Sequence, residues 1–137
     1  MTNEKSIQLV NVLRKIETEF FKSESKFDIS RTLYHATCQN IRRLKPIVKE
    51  LEDIEQDVRT DFKKSNSITD EILEDKAKEK EINAQFFAFR NSEETQKIFT
   101  DFYEAENSVE LYKVDREVVE EAILPVDYYE VLEQLIK

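Results

Sequence analysis

From Ser30 to Lys64 the chain reads SRTLYHATCQNIRRLKPIVKELEDIEQDVRTDFKK, and a stripe recurs in it at Tyr34, Thr37, Ile41, Leu44, Val48, Leu51, Val58 and Phe62. Spacings of three and four alternate, and only Glu55 interrupts the seam. A heptad sustained over about four repeats keeps one stripe of a long helix turned toward a partner helix. At a rise of about 1.5 Å per residue this helix is roughly 50 Å long. A chain of 137 residues must arrange everything else beside such an element. The partner is either a return arm of the same chain or a second chain. Near the body the return arm is the preferred partner, and the distal part stays open.

The flanking stretches supply that arm. Thr2 or Asn3 caps a first helix reaching about Lys22, with Leu9, Leu13, Ile16 and Phe20 as its stripe. Asp28 or Ser30 caps the long helix. Pro46 lies inside the heptad, and the register runs on through it from Leu44 to Val48, so a kink is expected and not a break. The segment KKSNS at 63–67 ends the helix, and Ser67 or Thr69 caps the next one. Two helices joined so briefly are normally antiparallel neighbours. Residues 55–80 are strongly polar, as in EDKAKEKE at 74–81, and read as a hairpin tip that projects from the body.

Beyond the tip, Ile82, Phe86, Phe87 and Phe89 make the return arm aromatic, and Asn91 with Glu94 has the pattern of a capping box before Ile98, Phe99, Phe102 and Tyr103. These aromatics are expected to share one core with the first helix and the proximal half of the long one. VELYKV at 109–114 has strand chemistry, but a lone strand needs a partner. VVEEAIL at 118–124 is open between strand and helix. Pro125 stops the chain, and Asp127 with Glu130 signals a last helix in which Val126 staples against Val131. The expected architecture is a single all-α domain. A long kinked antiparallel hairpin, about 30–64 and 68–89, packs with an N-terminal helix and short C-terminal helices, with a minor β segment open at 109–114.

Composition narrows function. There is no glycine, so the chain lacks the P-loop, the dinucleotide fingerprint and the nucleophile elbow, all of which need glycine at tight turns or beside phosphate. The net charge of −9 argues against nucleic acid and anionic membranes as partners. One cysteine, Cys38, allows no intrachain disulfide, and no apolar run is long enough to span a bilayer.

The chemistry-bearing residues are few. His35 is the sole histidine, sits just past the seam and lacks the Glu-x-x-His spacing of helical di-iron sites, so it reads as a surface residue. Cys38 has no Lys or Arg within three positions and reads as a small hydrophobe on the flank of the seam. Charge segregation is the stronger signal. Between Ile29 and Lys49 the only charged residues are Arg31, Arg42, Arg43, Lys45 and Lys49, whereas Glu50 to Asp61 holds six acids against Arg59. Arg42, Arg43, Lys45 and Lys49 are therefore the candidate partner-binding residues, set against the plainer reading that they face the acidic C-terminal segment or solvent.

The run NIRRLKPIVKELEDIEQDVRTDF resembles the long helix of a family of small helical proteins encoded by tailed bacteriophages, and VELYKVDREVVEEAILPVDYYEVLEQLIK resembles the family's tail. The resemblance implies a phage setting, and it brings no catalytic residues with it. The expectation is a non-enzymatic structural or interaction protein, a small virion or assembly component acting on other virion proteins or on itself. The alternative is a small acidic regulator or inhibitor of a host or phage protein. No cofactor, metal, small-molecule substrate, nucleic acid or membrane is expected, and the expected location is the host cytoplasm or the virion.

Overall fold

The computed structural model describes residues 1–137 and is all-α. In chain order the helices are α1 (Asn3–Phe20), α2 (Arg31–Ser65), α3 (Asp70–Leu73), α4 (Lys76–Arg90), α5 (Glu93–Glu104), α6 (Arg116–Glu120) and α7 (Val126–Leu132), with a 3₁₀ turn at Glu133–Leu135. No helix is long and apolar enough to cross a membrane.

Each helix start has a local cause. The Thr2 hydroxyl accepts from the Lys5 N–H at 3.3 Å, and the Ser30 hydroxyl accepts from the Leu33 N–H at 3.2 Å, so Thr2 and Ser30 are the caps of α1 and α2. Asp28 does not cap α2: it lies two residues before the Ser30 cap, and its backbone exchanges two hydrogen bonds with Ile123. The helix α2 runs unbroken through Pro46. Proline supplies no N–H there, and because Pro46 is exposed, water can take the Arg42 carbonyl it leaves unpaired.

At the end of α2, Ser67 takes a φ of 51°. Ile68 N–H reaches the Lys63 carbonyl at 2.9 Å and Ser67 N–H the Lys64 carbonyl at 3.4 Å, the two bonds of a Schellman cap. Glycine usually takes that left-handed position; a chain without glycine puts serine there at some cost in backbone strain.

The return arm differs from the expected single helix over 68–89. It begins with the four residues of α3, capped by Thr69, and restarts at Lys76 with Asp75 as cap. Asn91 closes α4, its side chain donating to the Phe87 carbonyl at 2.9 Å, and Ser92 caps α5. The expected box of Asn91 with Glu94 does not form, because Asn91 is used one element earlier. Nor does the staple of Val126 to Val131, since Val126 is 87% exposed.

The chain divides into two compact units, Met1–Val48 with Ala105–Lys137, and Lys49–Glu104. The first owns a core of Leu9, Val10, Leu13 and Ile16 from α1, Leu33, Ala36 and Leu44 from α2, and Val114, Val119, Leu132 and Leu135 from the C-terminal segment. None of the return-arm aromatics belongs to it, which corrects the expected single core: α6, α7 and the 3₁₀ turn fill the space instead. In the proximal half of α2 the deeply buried positions are Leu33, Ala36, Thr37, Asn40, Leu44 and Ile47. That stripe keeps Thr37 and Leu44 of the heptad, adds Leu33, Ala36, Asn40 and Ile47, and leaves Tyr34, Ile41 and Val48 as half-buried flanks.

The second unit is built on Val58 and Phe62 of α2 with Phe99 and Phe102 of α5. Phe62 meets Phe86 and Phe89 of α4 at centroid separations of 5.2 and 5.5 Å. The Arg90 guanidinium lies 3.6 Å from the Phe99 centroid and 4.0 Å from the Glu55 carboxylate, so Glu55, the interruption of the heptad, holds the charge that stacks on the ring.

Residues 109–114 form no strand of a sheet. They are extended, but helix side chains and a neighbouring turn take the place of a partner strand. The buried Asn40 amide donates to the Tyr112 carbonyl at 2.8 Å and accepts from the Tyr112 N–H at 2.7 Å. Arg43 donates to the Glu110 carbonyl at 3.1 Å. Val114 N–H reaches the Leu135 carbonyl, and Lys137 N–H reaches the Val114 carbonyl, a single parallel bridge. Upstream, the Asn107 amide donates to Asn3 and Ser6, each at 2.9 Å, which is how those buried polar residues of α1 are satisfied.

Candidate interaction surfaces

The four cations singled out in the sequence have unlike surroundings. Arg43 is committed within its own unit: beside its bond to the Glu110 carbonyl, its guanidinium sits 5.8 Å from the Tyr112 ring. It engages the acidic C-terminal segment through backbone and ring, not through a carboxylate. Lys49 pairs with Asp53 one turn on, at 3.2 Å. Exposed i,i+4 pairs of this kind contribute about 0.3–0.5 kcal/mol. Arg42 and Lys45 are exposed on α2 and form no ion pair. Of the four, these two keep cationic heads free for another molecule.

His35 is exposed and meets Tyr112 edge to face at 5.3 Å. Cys38 is half-buried, with its sulfur 3.7 Å from the Glu17 carboxylate. A hydrogen bond with Cys38, followed by desolvation, pushes the Tyr34 hydroxyl above its ordinary value. No group of three or more His, Cys, Asp or Glu side chains converges in the molecule.

The feature that sequence reasoning assigns to the core and the structure leaves outside lies on α4. That helix carries Ile82, Phe86, Phe87 and Phe89, yet not one of its fifteen residues is fully buried. Phe87 is 71% exposed, and Ile98 on α5 is 47% exposed. A cavity of about 580 Å³ opens beside Phe87, with Phe86, Phe99 and Tyr103 as its apolar wall and Asn83, Asn91 and Gln96 at its polar edge. The sequence does carry a signal for this. Adjacent residues on a helix point about 100° apart, so the doublet Phe86–Phe87 cannot turn both rings to one narrow seam. Phe86 leans on Phe62, and Phe87 is left to the outside.

The Lys49–Glu104 unit is also where the charge resides. It holds nine Lys and Arg against sixteen Asp and Glu, a net of −7 out of the chain's −9. Phe87 and Ile98 are thus large exposed apolar side chains on a strongly acidic unit.

No protein-family model matches the chain, and neither does any curated protein or solved structure.

Proposed function

We infer that the chain is a non-enzymatic interaction protein that docks a partner protein through the aromatic face of α4 and α5. The observation that carries this reading is the pairing of Phe87, 71% exposed, with an α4 that buries none of its residues completely. Isolated apolar residues at a surface need no explanation, but here Phe87 stands exposed beside Ile82, Phe86 and Phe89 that are only half-buried, and such a cluster calls for a cover. In the setting that the resemblance to phage-encoded helical proteins implies, the partner belongs to a virion or its assembly, and the chain works in the host cytoplasm or the particle. The acid-rich composition of the same unit supports a second reading, an acidic regulator that covers a basic surface of a host or phage protein.

Both readings share one test. Phe87→Ser removes the exposed anchor and touches little of the folded interior. The tagged full-length chain and this variant are each used for affinity capture from cells producing them, with quantitative mass spectrometry of the bound proteins. Loss of a captured protein by about tenfold or more, at an unchanged melting temperature, is the expected result. Identical captured sets from both proteins contradict the reading. Salt then separates the two versions: capture through a basic surface weakens steeply with ionic strength, whereas an apolar docking face holds.

A further inference from the structure

The segment 109–114 has a second edge. Hydrogen bonds on one edge recur at every second residue: the Glu110 carbonyl, both backbone groups of Tyr112, and both of Val114. In an extended chain the backbone groups of alternate residues point to opposite edges. The N–H and C=O groups of Leu111 and Lys113 therefore face away from Asn40, and none of them has a hydrogen-bond partner within the chain. A groove of about 520 Å³ runs there, lined by Met1, Val109, Glu110, Leu111, Lys113 and Gln134. Lys113 is exposed and has no carboxylate partner.

We propose that this edge is a β-augmentation site, which takes an extended peptide segment of a partner protein as an added strand along Leu111–Lys113, the Val109 N–H being already held by the Asn107 side chain at 3.2 Å. The edge is rigid on its inner side, because Asn40 and the Leu135–Lys137 turn fix Tyr112 and Val114 in place. An incoming strand meets donors and acceptors already aligned at Leu111 and Lys113, with little left to order. Val109 and Leu111 offer apolar contacts to alternate side chains of the peptide, and the unpaired Lys113 selects a carboxylate at one end of it. A second copy of the chain is a poorer occupant. Two copies each carrying −9 repel, and antiparallel self-pairing about Leu111 sets the Lys113 ammonium opposite Val109, with no acid to meet it. The site lies wholly within the Met1–Val48 and Ala105–Lys137 unit, so it is independent of the aromatic face of α4 and stands or falls apart from it.

The test uses the full chain and a random twelve-residue peptide library. Peptides selected on the immobilised protein are added to labelled protein, and amide hydrogen exchange is followed by NMR. In the free protein the amides of Leu111 and Lys113 should exchange fast while those of Tyr112 and Val114 are protected. The selected peptide should slow Leu111 and Lys113 and leave α4 and α5 unaffected. Leu111→Pro deletes one outward donor and none of the inward bonds, and should weaken the peptide about tenfold. Lys113→Glu keeps the backbone edge and serves as the second variant, weakening acid-bearing peptides by a similar factor. Three results overturn the proposal: selected peptides that protect other amides only, a library that yields no binder, or concentration-dependent protection of Leu111 and Lys113 without peptide, which assigns the edge to a second copy.

Discussion

Replacing Asn40 with leucine tests how the C-terminal segment is held. The side chain is 0% exposed, and its amide makes bonds of 2.8 and 2.7 Å to the carbonyl and N–H of Tyr112. Leucine keeps the branched shape and leaves no cavity, so the effect is the loss of the two bonds together with some crowding by its larger methyl groups. A backbone group stripped of its partner inside a protein costs about 1–3 kcal/mol. Tyr112 is 36% exposed, so water recovers part of that, and the sum falls to about 2–3 kcal/mol. For a chain of this size the loss corresponds to a drop of roughly 6–12 °C in melting temperature. Urea denaturation followed by circular dichroism should show a lower midpoint at an unchanged slope, because the surface exposed on unfolding is the same. The Tyr112 amide should lose its exchange protection in the same variant. A destabilisation below about 0.5 kcal/mol, or a Tyr112 amide that stays protected, would refute the clamp.

Other substitutions probe separate parts of the molecule. Ser67→Gly relieves the left-handed position with its φ of 51° and should raise stability by about 0.5–1 kcal/mol in thermal melts, whereas a loss would contradict the presence of strain there. Arg43→Ala removes a backbone hydrogen bond and a contact with the Tyr112 ring, and should cost about 1 kcal/mol. Arg42→Ala should be neutral within about 0.5 kcal/mol, and equal effects at the two positions would oppose the division drawn between them. The hydrogen bond from Lys22, at 2.7 Å, holds the Glu19 carboxyl below its ordinary value of 4.5. A depressed folded-state pKa gives stability that is present above 4.5 and is lost as pH falls through the folded value. Glu19→Gln should therefore flatten the acid side of the stability curve, and an unchanged acid limb would show that Glu19 contributes nothing there.

Much of the helix content is legible in the sequence because helix chemistry is local. Thr2, Ser30 and Thr69 act as the caps their positions announce, and the charge change near Glu50 lies close to the boundary between the two compact units at Val48 and Lys49. Along α2 the apolar spacing finds Thr37, Leu44, Val58 and Phe62, which are buried, but it takes half-buried Ile41 where the structure buries Asn40. A polar residue at a core position is invisible to a pattern of apolar spacing, and its partner, Tyr112, is seventy-two positions away. The same pairing explains why 109–114 is no strand of a sheet. Its β-rich sequence is extended, as that chemistry implies, but side chains from α2 supply the pairing. The core differs from expectation where aromatics are counted without directions: Phe86 and Phe87 are neighbours, and only one of them could turn inward. Of the four candidate cations, only Lys49 has an acid four positions on, Asp53, and that pair is legible in the sequence. Nothing in the sequence separates Arg43, whose partners lie at Glu110 and Tyr112, from Arg42 and Lys45.

Whether the α4 face is a surface for another protein decides the functional reading. Quantitative affinity capture with the full-length chain beside Phe87→Ser tests it directly, with thermal melts of both proteins as the control. Matching melting temperatures are expected, together with at least one partner that falls away about tenfold in the variant. Matching melts with an unchanged set of captured proteins would contradict it.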